Sequence, residues 1–156
     1  MWAIQAHNKS LYAGIFAAAV FLMFTALGPG IFGSQTMAYN SWQYQIFNTL
    51  CHQDPLRSYS ISGMQMAVCS RCLGIYGAFL VGWMSMPLYA LIKSIPQNVE
   101  KNWLIAAILL NLVDVLTNFF GIWTNTLISR FLLGGFMGLP MALILANEFF
   151  TYNKSE

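Results

Sequence analysis

From Cys72 to Ile92 the chain runs for 21 residues without a charged side chain, and Leu11–Leu27, Trp103–Trp123 and Leu127–Phe150 form three further apolar runs. Each run is close to the roughly 20 residues that one membrane crossing requires. Four such crossings and one sizeable loop account for a chain of 156 residues. Only 8% of the residues are charged and the mean hydropathy is +0.59, whereas roughly a quarter of an ordinary soluble domain is charged. Composition therefore excludes an ordinary soluble fold. A dispersed net charge of +2 forms no basic stripe, which excludes nucleic acid as a partner.

The expected architecture is an all-α polytopic membrane domain over 1–156, with four transmembrane helices near 11–30, 72–92, 103–123 and 127–150. The first ends at Gly28-Pro29-Gly30, where proline cannot continue a helix and glycine tolerates the turn. A secretory signal peptide cut near Ala26-Leu27-Gly28 is the alternative reading, but the run is long for a signal core. Pro87 is expected to kink the second span near its end. Trp103 and Trp123 bracket the third as interfacial anchors. Gly134 and Gly138 give the fourth the spacing that lets two helix backbones approach closely.

Between the first two spans lies a loop of about 33–71, too long to lack structure of its own. Ser41–Leu50 carries an N-cap serine and apolar residues at 42, 46, 47 and 50, so a short interfacial helix is expected there. Lys9, Lys93, Lys101 and Lys154 fall on one side of a four-span arrangement, against Arg57 and Arg71 on the other. The positive-inside rule then sets both termini inside and the loop outside. The expected location is the cytoplasmic (inner) membrane of a bacterial or archaeal cell.

All three cysteines belong to the loop or its end, in Cys51-His52 and Cys69-Ser70-Arg71-Cys72. Three thiolates and one imidazole make a four-ligand set for zinc or iron, and sixteen intervening residues suit a metal-binding loop. Adjacent Cys and His are awkward to bring onto one tetrahedral ion, so three ligands with an open position are an alternative. A second chemistry is redox. A Cys-x-x-Cys that opens a helix stabilises the first thiolate through the helix dipole and the nearby arginine, with Cys51 as partner thiol and a quinone as electron acceptor. Four-helix membrane proteins of the vitamin K epoxide reductase and disulfide-forming families are similar in architecture. A plain disulfide, or cysteines packed as small apolar groups, is the bland alternative.

Asn111, Asp114 and Asn118 share one face of the third span, with Thr117 beside them. An aspartate inside a membrane helix faces the bundle interior and needs a partner. Arg130 is the expected one, because both residues sit roughly 6 to 9 Å below the turn that joins the last two spans. A buried ion pair that merely fixes helix packing is the plainer reading. If that turn lies outside, Asp114, Asn118, Asn125 and Arg130 open toward the Cys/His loop as one polar site, with Arg57 and Ser58 placed to cap it or hold an anionic group. Asp54 and Pro55 are expected to shape a turn.

The segments Cys51-His52-Gln53-x-Pro55-x-Arg57-Ser58 and Cys69-x-Arg71-Cys72-x-Gly74-Ile75-Tyr76 resemble an uncharacterised family of small bacterial and archaeal membrane proteins, catalogued as a domain of unknown function. The resemblance continues through Asp114, Thr117, Gly121, Asn125, Arg130 and Gly134, from about residue 45 to 140, with Asn118 and Val115 departing from the family's glutamine and glycine. It implies the membrane fold and singles out these residues without implying an activity.

The function expected from sequence is a membrane protein with a zinc or iron site on Cys51, His52, Cys69 and Cys72 at the outer face. Asp114, Arg130 and Arg57 are candidate catalytic groups toward a lipid-soluble substrate. A thiol-disulfide/quinone oxidoreductase is the alternative, and a small transporter the third. The expected partners are membrane lipid and further copies of the chain.

Overall fold

A computed structural model describes residues 4–6, 9–32, 42–92 and 97–152. In chain order it contains β1 (Ile4–Ala6), α1 (Lys9–Ala26), α2 (Trp42–Phe47), β2 (Ser60–Ile61), β3 (Met64–Gln65), α3 (Ser70–Ile92), α4 (Gln97–Phe119), α5 (Leu127–Phe149) and β4 (Phe150–Tyr152). The protein is all-α in substance. Lys93 and Lys154, used in the orientation argument, and Ser41, the expected N-cap, lie outside the described residues.

Three stretches among the described residues are long and apolar enough to cross a membrane: Lys9–Ala26, Val99–Phe119 and Leu127–Leu145. In the most apolar parts of α1 and α4 only 11% of the residues are buried. Phe21, Phe24, Ile105, Leu109, Leu112 and Val113 all point away from the protein. Such faces are stable only against hydrocarbon. α3, the run expected as the second crossing, is 23 residues long and lies between α1 and α5.

Contacts fix the relative directions. Met23 approaches Gly77 while Tyr12 Oη donates to Trp83 O at 2.9 Å, so α1 and α3 are antiparallel. Asn111 Nδ2 donates to Leu133 O at 3.0 Å and Trp103 packs on Phe136, so α4 and α5 are antiparallel too. α3 and α5 are parallel and touch through bare backbone. A Cβ on Gly74 would stand 2.1 Å from Phe131 O, one on Gly134 2.1 Å from Arg71 O, and one on Gly138 2.3 Å from Ile75 O. No side chain fits there.

Helix boundaries correct the sequence at α1, α4 and α2. α1 stops at Ala26, short of the expected end near residue 30, because Gly28 turns left-handed at φ 76°. α4 begins at Gln97 and stops at Phe119, where the apolar pattern ran on to Trp123. Gly121 adopts φ 70°, its N–H bonds to Asn118 O at 3.3 Å, and the Ile122 N–H reaches back to Thr117 O at 3.0 Å. This is a Schellman cap, which only a left-handed residue permits. α2 spans six residues, and Asn48 to Leu50, expected as helix, form a turn. α5 starts at the expected Leu127 because Thr126 and Ser129 exchange side-chain and backbone hydrogen bonds at 3.1 Å each, a reciprocal cap.

The two ends of the bundle differ. At one, Trp83, Met86 and Phe149 are buried with Tyr12 and Phe79 packed against them, and β1 pairs antiparallel with β4, Ile4 opposite Tyr152 and Ala6 opposite Phe150. At the other, Ala26, Phe47, Cys51, Met66, Ala67, Val68 and Leu73 form a second core. There β2 and β3 make a hairpin whose two turn residues, Ser62 (φ 52°) and Gly63 (φ 79°), have positive φ, the geometry of a type I′ turn. The hairpin rests on the exit from α1. A Cβ on Gly30 would stand 2.4 Å from Ile61 O, and Ala67 N donates to Ala26 O at 3.2 Å.

Candidate functional site

Cys51 follows α2 directly, its N–H donating to Phe47 O at 2.8 Å. Cys69 precedes α3, whose first helical bond is accepted by Cys69 O from Leu73 N at 3.0 Å, so Cys69 occupies the N-cap and Cys72 the first turn. The hairpin closes the gap between them. Cys69 N donates to Cys51 Sγ at 3.1 Å, and the sulfurs of Cys69 and Cys72 are 3.5 Å apart. All three sulfurs lie within 4.8 Å of one another. Cys51 is buried and the other two are half-buried.

Gln53 braces this arrangement. Its backbone is left-handed at φ 50°. Its side-chain amide donates to Tyr44 O at 2.7 Å and Ala67 O at 3.1 Å, and its carbonyl accepts from Gln65 Nε2 at 2.5 Å. Tyr44 Oη bonds Gln65 O. One side chain thus ties α2 to the strand that leads to Cys69. Gln53 belongs to the first cysteine motif, but nothing in the sequence marks it as the brace. Asp54 and Pro55 shape the turn as expected, Asp54 Oδ1 capping Leu56 N at 3.0 Å.

His52 is exposed and stands outside the sulfur group. The three thiols come together without it. Hydrogen bonding with the Cys51 and Cys72 side chains, and with backbone N–H groups of the first turn of α3, holds the Cys69 thiol far below its ordinary range.

The third-span polar residues divide their tasks. Asn111 Nδ2 bridges Ala107 O at 2.9 Å and Leu133 O, tying α4 to α5. Thr117 Oγ1 bonds its own helix at Val113 O. Asp114 is paired, but with Arg71 and not with the expected Arg130: Arg71 Nη2 donates to Asp114 Oδ2, and Asn125 Nδ2 adds a second bond at 2.8 Å. The reason is the close parallel contact of α3 and α5, which sets the first turn of α3 at the level of Asp114. Arg130 instead meets the Asn118 amide oxygen at 3.5 Å. Arg71 sits between the two cysteines of its motif, so it joins the thiol group to the α4–α5 residues.

Beside that junction lies a cavity of about 140 Å³, walled by Arg57, Arg71, Asn118, Asn125 and Arg130. Val115 and Phe119 supply its apolar side. Arg57 is exposed and bonded to Asp54 Oδ2 at 3.0 Å. The cavity therefore gathers all three arginines that sequence placed at this end of the chain.

Residues 51–144 match a family described as "Predicted membrane protein (DUF2085)". The chain is 36% identical over 109 residues to "Uncharacterized protein MJ1492" of Methanocaldococcus jannaschii, covering 69% of this chain and 68% of that protein. It is 33% identical over 102 residues to an "Uncharacterized protein" of Methanothermobacter thermautotrophicus, covering 63% of this chain and 86% of that one. No solved structure matches. The matched residues run from the first cysteine through the parallel α3–α5 contact, and the chain belongs to this family of membrane proteins.

Proposed function

We propose that the protein crosses the membrane four times and holds one thiophilic metal ion, zinc or iron, on Cys51, Cys69 and Cys72, with one coordination position open. The observation that carries this is the convergence of three sulfurs within 4.8 Å from segments that are 18 residues apart, Cys51 and Cys69. On a tetrahedral ion with Zn–S near 2.3 Å, ligand sulfurs are roughly 3.8 Å apart, close to the 3.5 Å between Cys69 and Cys72. A depressed Cys69 thiol favours the deprotonated ligand a metal needs.

Three protein ligands and an open position are the pattern of catalytic rather than structural zinc. The open position would take water, the His52 imidazole or a lipid-soluble substrate. Arg130 and Arg57, which line the adjoining cavity, and Asp114, which holds Arg71 of its wall, are then the groups that orient such a substrate. N-in and C-in orientation in the cytoplasmic membrane is part of this reading, supported by the lysine distribution and by both described chain ends meeting at the bundle end opposite the thiols.

Elemental analysis of detergent-purified protein tests it. The expected result is close to one zinc or iron per chain, lost in Cys69→Ser. A second reading rests on Cys69 at the N-cap of α3 with its sulfur 3.5 Å from Cys72. There the two thiols form a disulfide and pass two electrons and two protons to a quinone. Metal-free protein with a titratable Cys69–Cys72 disulfide would replace the first reading with this one.

A further inference from the structure

The cavity walled by three arginines includes none of the three sulfurs and offers a chemistry of its own. Its cations are unequally answered. Arg57 has Asp54 at 3.0 Å and Arg71 has Asp114, while the partner of Arg130 is the neutral amide oxygen of Asn118 at 3.5 Å. Arg57 and Arg71 act electrostatically on Arg130 as like charges, and the Asp114 carboxylate, already held by Arg71 and Asn125, offsets them in part. Three guanidinium groups thus face two carboxylates at the end of an apolar bundle, where repulsion between like charges is weakly screened. The Nε of Arg71 is also buried without an acceptor, which costs stability.

We infer that this cavity binds a phosphate group. Arginine forks recognise oxyanions through paired N–H donors. A carboxylate has two oxygens to offer, fewer than three converging forks can use, whereas a phosphate presents oxygens in several directions. The cavity lies at the level where α4 ends and α5 begins, which is where the phosphates of a bilayer lie when those helices span it. Free phosphate and a phospholipid headgroup offer the same chemistry. The site stands whether or not the thiols hold a metal.

The test uses the full chain purified in a non-ionic detergent. Inorganic phosphate is titrated against chloride at matched ionic strength, with thermal unfolding as readout. In parallel, nanodiscs of phosphatidylcholine with or without phosphatidic acid are followed by retention of the acidic lipid in native mass spectra. A saturable rise in midpoint, or selective retention of phosphatidic acid, is expected, weakened about tenfold in Arg130→Gln. Arg57→Gln, at an exposed side chain that leaves the bundle intact, is expected to weaken the same response several-fold. Retention of phosphatidic acid alone names the headgroup as source, and response to inorganic phosphate alone names a soluble phosphate. Absence of both effects overturns the site, as does an equal response from the native chain and both variants.

Discussion

A carboxylate in a membrane helix is held by whichever cation reaches it, and here the cation comes from between two cysteines. Asp114 has a side chain 11% exposed and Arg71 one 23% exposed, so removing either partner leaves a poorly solvated charge. Each of Asp114→Asn and Arg71→Gln is expected to cost about 2–4 kcal/mol, somewhat less than for a fully buried pair because Arg71 keeps some water. The double variant should recover more than about 1 kcal/mol of the summed loss, whereas Asp114→Asn with Arg130→Gln, linked only through Asn118 and Asn125 and at longer range, should show a smaller coupling. Reversible unfolding in detergent measures both cycles. Asp114 and the need for a partner were legible in sequence, since any aspartate in an apolar run announces itself. The identity of the partner was not. Arg71 reads as a loop charge until α3 is seen to begin at Ser70, and Arg130, at the matching depth on α5, bonds the Asn118 amide and acts on Asp114 only at longer range. The cysteines were legible as a group, but the exposure of His52 depends on the left-handed turn at Gln53, which leaves no mark on composition.

At the scale of elements, glycine spacing carries the largest consequence. Gly134→Ala would drive a methyl group into Arg71 O, and Gly138→Ala into Ile75 O. Backbone atoms cannot rotate aside, so α3 and α5 must separate, with an expected loss of at least about 3 kcal/mol or failure to accumulate in the membrane. Gly14→Ala, with nothing within 4 Å, is the control and should leave the melting midpoint within about 1 kcal/mol of native. Expression and thermal unfolding of the three variants compare them directly. The Gly134/Gly138 spacing pointed to close approach before the neighbour was known. The hairpin did not show itself, because strands of two residues have no periodicity, and only Ser62-Gly63 marks the turn. The end of α4 was misplaced for a related reason: Ile122 and Trp123 continue the apolar pattern, yet Gly121 closes the helix.

For the whole molecule, a chain that crosses the membrane four times would point α3 and α5 the same way, and the two helices are parallel. Leu56, 89% exposed on the loop, and exposed Lys101 at the start of α4 mark opposite ends of the bundle. Cysteines introduced at each, labelled in intact cells with a membrane-impermeant maleimide and located by peptide mapping, should react at 56 and remain protected at 101. The reverse pattern would invert the orientation proposed above.

Because α3 is matched to α5 through bare backbone, its partner emerges from the ribosome only after α4 and the following turn have been made. Until then the glycine face of α3 has no occupant, and nothing sets Arg71 at the level of Asp114. Maturation of the thiol end therefore belongs to the close of synthesis: a nascent chain halted ahead of Leu127 would hold all three cysteines yet lack the strut that fixes the helix carrying two of them.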